Sequence, residues 1–134
     1  MNKKLIIYTD GGARGNPGPA AIGVVVRNQS GETLAQISMR IGETTNNQAE
    51  YQALIVGLNK AIELGAIQVT CIMDSELVVK QLTGQYKIKE PGLQKRVAEV
   101  LQLSHKFQSI DFKHVLREKN QLADELVNKA LDAN

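Results

Sequence analysis

Four acids in this chain stand where a carboxylate either finds a partner or is costly: Asp10, Glu50, Asp74 and Asp124. Each has an ordinary reading when taken alone. Asp10, between Leu5-Ile-Ile-Tyr-Thr9 and Gly11-Gly12, suits a turn acid that bonds nearby backbone amides. Asp74, ahead of Ser75, suits the N-cap of a following helix. Glu50 suits the third-position partner of a capping box begun by Asn47, and Asp124 suits a solvated surface acid. On helical spacing, however, Glu50 shares a face with Leu54, Gly57, Leu58 and Ala61, and Asp124 shares one with Val127 and Leu131. A carboxylate heading an apolar stripe is expensive unless a cation or donors satisfy it. Two acids at strand ends and two in the first turns of helices, all leading into one crevice, supply the hard oxygen donors that Mg²⁺ or Mn²⁺ takes.

Other chemistries lack their residues. Two His and one Cys are too few for a zinc cluster. There is no Gly-x-x-x-x-Gly-Lys-Ser/Thr phosphate loop, and Gly11-Gly-Ala-Arg-Gly-Asn-Pro-Gly18 fails the Gly-x-Gly-x-x-Gly spacing of a dinucleotide site.

The elements that must carry these acids follow from periodicity and punctuation. Leu5–Thr9, Ala20–Arg27 and Thr33–Arg40 are strand candidates, the last two joined by the turn residues Asn28-Gln-Ser-Gly31. A helix starts near Asn47 and stops at Gly65; Ile67–Met73 is a strand. A short helix over Ser75–Leu82 is closed by Gly84, and another runs from Pro91 towards His105. Ile110–Leu116 is the last strand and Gln121–Leu131 the last helix. The order β-β-β-α-β-α-α-β-α predicts a mixed sheet with helices on its faces, in one domain over residues 1–134. In such sheets the functional crevice lies beyond the carboxyl ends of the parallel strands, where Asp10 and Asp74 fall.

Composition narrows the class. The chain has 134 residues, 43% hydrophobic and 22% charged, with a net charge of +2, an ordinary globular mixture that neither demands nor excludes a nucleic-acid partner. Cys71, inside Val69-Thr-Cys-Ile-Met73, reads as a buried thiol of a reducing compartment. The basic start is too short for a signal peptide and no later run is long enough to span a membrane, so a cytoplasmic location is expected. The start Met and the closing helix are expectations of a free-standing chain.

Four segments carry a resemblance. Tyr8-Thr-Asp-Gly-Gly-Ala-Arg-Gly-Asn-Pro-Gly-Pro19, Thr44-Thr-Asn-Asn-Gln-Ala-Glu-Tyr51, Asp74-Ser75 and Asn120-Gln-Leu-Ala-Asp124 together resemble type 1 ribonuclease H, in that family's order and spacing. The resemblance implies an α/β, ribonuclease H-like fold: a five-stranded mixed sheet, its first three strands antiparallel, flanked by helices. It also implies hydrolysis of the RNA strand of RNA–DNA hybrids, leaving 5′-phosphate and 3′-hydroxyl ends. Two Mg²⁺ or Mn²⁺ ions would be held by Asp10, Glu50, Asp74 and Asp124.

Telling RNA from DNA requires contacts to 2′-hydroxyls across a wide minor groove. Backbone amides from Gly11 and Gly12 to Gly15 can approach a strand closely. Asn16, Asn46, Asn47 and Gln48 offer side-chain donors and acceptors, with turn and cap chemistry as their plainer use. Ser75 belongs to the same candidate set. The resemblance gives Thr45 a DNA-strand phosphate; Arg14 is either a phosphate contact or an ordinary exposed Arg. Some relatives carry a basic, Trp-bearing protrusion, whereas Thr83–Gly92 here has no Trp. Tyr86, Lys87 and Lys89 are either its reduced substitute or a solvated connection, and weaker hybrid binding follows. The family's loop His corresponds either to His114, which sits in strand sequence, or to Arg117, whose fixed charge is favoured slightly although it cannot shuttle protons. Glu76 stands where relatives commonly have a polar amide. A monomer is expected. The competing readings are a non-catalytic hybrid-binding module of the same fold and a phosphoryl-accepting receiver domain, which the early hairpin argues against.

Overall fold

Alternation of buried and half-exposed residues sets the first strand, but that strand does not stop where the apolar run stops. The computed structural model describes residues 4–133; the basic start, Met1–Lys3, and Asn134 lie outside them. Strand β1 is Lys4–Ala13, β2 is Gly18–Asn28 and β3 is Thr33–Thr44. Helix α1 (Asn46–Glu63), β4 (Gln68–Met73), α2 (Glu76–Leu82), α3 (Pro91–Ser104) and β5 (Ser109–His114) follow. A 3₁₀ turn at Arg117–Lys119 leads into α4 (Gln121–Asp132). The element order is the expected one.

The sheet order is β3-β2-β1-β4-β5, antiparallel from β1 to β3 and parallel from β1 through β4 to β5. One face buries Leu5, Ile7, Val24, Val26, Val69 and Cys71 against α1, whose Leu54, Leu58 and Ala61 form the apolar stripe; α2 and α3 complete this core. The other face is covered at β1 and β2 by α4, whose Val127, Ala130 and Leu131 pack on Ala21. Burial drives the Cys71 thiol pKa up, in keeping with an inert core residue. Among the described residues no helix is long and apolar enough to cross a membrane.

Several boundaries move. Gly11 and Gly12 extend β1 instead of turning it, because β2 keeps pairing as far as Ala13↔Ala20. The turn sits further on, at Arg14–Pro17, where Gly15 has φ +94°. Strand β3 runs past Arg40 to Thr44 by way of a bulge between Ala20 and Ala21 in the β2 register, which leaves Ile41 unpaired. Strand β5 ends at His114, so Leu116 is not strand but loop, 62% exposed.

Candidate active site

Two glycines let helices approach the sheet closely enough to deliver acids from opposite faces. A Cβ on Gly11 would overlap the backbone of Ala49 and Glu50, so glycine there allows the start of α1 to lie directly on β1. A Cβ on Gly23 would overlap the Ala123 carbonyl, so the first turn of α4 lies directly on β2. Gly23 is the cross-strand partner of Asp10. Asp124, one residue after Ala123, is thereby brought beside Asp10, and Glu50 reaches the same place from α1. Asp74 follows the last residue of β4.

Asp10, Glu50, Asp74 and Asp124 line one open cavity of about 300 Å³, together with Arg14 and Arg117. Burial pushes the Asp10 carboxyl up to about 8; the Asp74 charge, a hydrogen bond with Asp124 and the charges of Asp124 and Glu50 add to the shift. Burial likewise raises Glu50 to about 7, opposed by the Ser75 hydroxyl and assisted by the Asp74 charge. Glu50 Oε2 is buried with no hydrogen-bond partner. A cluster of this kind is short of positive charge.

The ordinary roles of two of these acids are taken by their neighbours. Thr45 caps α1, its hydroxyl accepting from the Gln48 N–H at 3.2 Å, so Asn47 begins no capping box and Glu50 is no partner in one. Ser75 caps α2 by accepting from the Val78 N–H at 3.2 Å, which leaves the Asp74 carboxylate free of that task. Asp10 keeps one local bond, accepting from the Gly11 N–H at 3.0 Å.

The donor set fits hard divalent cations. Among the described residues, no three acidic, His or Cys side chains already close into a cage for an ion. An open wall of carboxylates suits Mg²⁺, which keeps several waters and completes its shell with phosphate oxygens.

The remaining candidates divide. Arg117 donates to both Asp124 oxygens, at 3.2 and 3.4 Å, and sits at the cavity. His114 faces Glu76 instead, 4.0 Å away. Glu76 is also paired with Lys80 at 2.9 Å, which holds its carboxyl below the usual range. Asn46 and Asn16 lock the Gly-rich turn onto α1: Asn46 Oδ1 accepts from the Ala13 N–H at 2.8 Å, and Asn16 Oδ1 from the Asn46 N–H at 3.0 Å. Gln48 Oε1 accepts from Arg96 Nε at 2.9 Å, so its amide is tied to α3. Arg14 pairs with Asp132 across the rim. Tyr86 stacks under Lys80, 5.0 Å from its ring centre, leaving Lys87 and Lys89 exposed in the loop.

Sequence reasoning missed Asn120 and Arg96. Asn120 stood inside a quoted motif, directly ahead of a helix, and its 98% burial could not be read from that position. Its side chain touches the backbone of β1 and the Asp74 carboxylate.

Comparison with known proteins places this geometry. The reverse transcriptase-like family model matches residues 8–130. A bifunctional protein of Mycobacterium tuberculosis is 46% identical over 131 residues, covering 97% of this chain but only 36% of that protein. The solved N-terminal RNase H domain of that protein superposes with a TM-score of 0.93 at 45% identity, covering 96% of this chain and 99% of the domain. RNase H1 from Halobacterium salinarum superposes with a TM-score of 0.94 at 42% identity, covering 96% and 98% of the two chains. An RNase H1 from compost, solved in complex with an RNA/DNA hybrid, has a TM-score of 0.91 at 50% identity, covering 96% of each chain.

Proposed function

Because the chain belongs to the type 1 ribonuclease H family, we propose that it cuts the RNA strand of RNA–DNA hybrids, leaving 5′-phosphate and 3′-hydroxyl ends. One observation carries the reading: four carboxylates, from β1, α1, α4 and the loop after β4, share a cavity in which a Glu50 oxygen is buried without a partner. The hybrid bound by the compost enzyme supports the substrate class. Members of the family work with divalent metal ions.

Asp10, Glu50, Asp74 and Asp124 would hold Mg²⁺ or Mn²⁺, two ions per site. When bound, the ions supply the positive charge that lets water attack the phosphodiester and the sugar oxygen depart. Arg117 brings a fixed cation to the same rim, beside Asp124. Side chains around Asn46 and Asn47, with the Gly12–Gly15 turn beside them, would tell 2′-hydroxyls from hydrogens. The amides of Gly11, Ala13 and Arg14 are engaged by Asp10, Asn46 and the Pro19 carbonyl and are not free for this.

The test is incubation with end-labelled RNA–DNA hybrid, single-stranded RNA and duplex DNA, with Mg²⁺ or Mn²⁺, and Asp10→Asn as control. Metal-dependent cutting confined to the hybrid's RNA strand is expected. Binding of hybrid without cutting under either metal would make the protein a hybrid-binding module instead.

A further inference from the structure

Strands β1 and β4 part company at the site. Their ladder ends at Tyr8↔Ile72, so a split opens in the sheet at Thr9, with Asp10 on one lip and Asp74 on the other. One side chain spans that split. Asn120 is 2% exposed, and its Nδ2 donates to the Thr9 carbonyl at 2.9 Å and to Asp74 Oδ1 at 3.4 Å.

Its own helix would ordinarily claim that side chain. Asn120 occupies the N-cap position of α4, where an Asn usually turns its oxygen onto the first helical amides. It makes no such bond here, and its Oδ1 is buried with no partner. An uncapped helix and an unpaired buried acceptor both carry a cost, and the arrangement they secure is the amide bridge. The backbone of the same residue extends the bridge. Its carbonyl accepts from the Asp124 N–H at 3.2 Å, and its N–H donates to the Arg117 carbonyl at 2.9 Å.

We propose that Asn120 is a positioning residue that sets the separation of Asp10 and Asp74 across the sheet split and ties both to Asp124 and Arg117. It touches neither an ion nor a substrate. The proposal rests on the assignment of the four carboxylates as metal ligands, and it adds to that assignment the element that holds them in register. Outer residues that orient ligands typically account for about 10–100-fold in metal affinity or activity.

The test compares Asn120→Ala with Ser38→Ala. Ser38 Oγ donates to the Leu126 carbonyl at 2.6 Å, so its loss loosens α4 on the sheet without touching the site. Mn²⁺ affinity of the free protein is measured by calorimetry, and hybrid cleavage as kcat and KM, below the melting temperature of each variant. Asn120→Ala is expected to weaken Mn²⁺ binding and lower kcat by about 10–100-fold, with KM within about twofold. Ser38→Ala is expected to keep both. Asn120→Ser, which retains a hydroxyl donor in less volume, is expected to fall between, and it stands in if the alanine variant does not fold. Unchanged Mn²⁺ affinity and kcat in a folded Asn120 variant would overturn the proposal, as would equal losses in Ser38→Ala. If wild type cuts no hybrid, the ribonuclease reading fails, while the Mn²⁺ comparison still decides the role of Asn120.

Discussion

At the scale of single residues, the gathered acids burden the fold with negative charge that burial makes costly. Burial raises the Asp10 carboxyl to about 8 and the Glu50 carboxyl to about 7, from ordinary values of 3.8 and 4.5. A carboxyl raised on folding means that the folded state holds its proton more tightly than the unfolded chain. Its contribution is complete below about pH 4 and is lost as pH rises through the folded value. In chelator the melting temperature should therefore fall by several degrees between pH 5 and pH 8. Asp10→Asn should be more stable than wild type at pH 8, and saturating Mg²⁺ should flatten the profile. A melting temperature that climbs across this window without metal would contradict the assignment. A second pair of residues separates two sequence readings that stood side by side. Arg117 contacts Asp124, whereas His114 faces Glu76. Arg117→Ala is expected to lower kcat by about tenfold or more, in line with the loss of the fixed charge beside Asp124. His114→Ala should stay within about twofold. Turnover lost only in the His variant would reverse that order. Glu50 and Asp124 could be picked out in the sequence because apolar stripes betray a misplaced charge, and Asp10 and Asp74 because each follows an apolar strand run. The residues that free them could not, since Thr45 rather than Asn47, and Ser75 rather than Asp74, take the caps through backbone angles that sequence does not display.

At the scale of elements, α4 is held at its two ends by different chemistry, and the ends should fail differently. Its first turn rests on Gly23, where any side chain would strike the Ala123 carbonyl. Its last turn is gripped by Arg40 of β3, which donates to the carbonyls of Ala130, Leu131 and Ala133 at 2.9, 2.8 and 2.7 Å. Gly23→Ala should lift the first turn, costing about 3 kcal/mol by overpacking and weakening Mn²⁺ binding as Asp124 moves away. Arg40→Met should cost about 1 kcal/mol through lost carbonyl bonds yet leave kcat close to wild type. Thermal melts and single-turnover cleavage of both variants check this; equal kcat losses would mean that α4 moves as one rigid piece. The order of elements was readable because hydrophobic period and punctuation agree along most of the chain. The misreadings cluster where glycine serves packing instead of turning. Gly11-Gly12 looked like the end of β1, but Gly11 clears room for α1 while the strand continues. Strand β3 looked four residues shorter because its bulge at Ile41 breaks the alternation that marks a strand.

At the scale of the whole molecule, a net charge of +2 hides a local imbalance: four acids line the cavity against two cations, Arg14 and Arg117. The cations that the site and its neighbouring loop offer are Arg14, Lys87, Lys89 and Arg117. Two of these are already engaged, Arg14 by Asp132 and Arg117 by Asp124. The loop after α2 lacks the basic, Trp-bearing protrusion of some relatives, and its Tyr86 is occupied with Lys80. Phosphate contacts set the salt dependence of nucleic-acid binding, with a slope in log–log terms of about −0.9 per phosphate neutralised on duplex DNA. About four contacts would lower hybrid affinity by roughly 100-fold between 50 and 200 mM salt, whereas six to ten contacts give about 10³–10⁵-fold. Fluorescence anisotropy on a labelled hybrid in Ca²⁺, across that salt range and beside a protrusion-bearing ribonuclease H, measures both slopes. The expected result is a shallower slope and weaker binding at the low-salt end for this chain. Replacing Lys87 and Lys89 together by Ala should reduce the slope by about two, because each lost cation removes one released counterion. A slope left unchanged by that double replacement would move the phosphate contacts off the loop and onto the Gly-rich turn around Arg14.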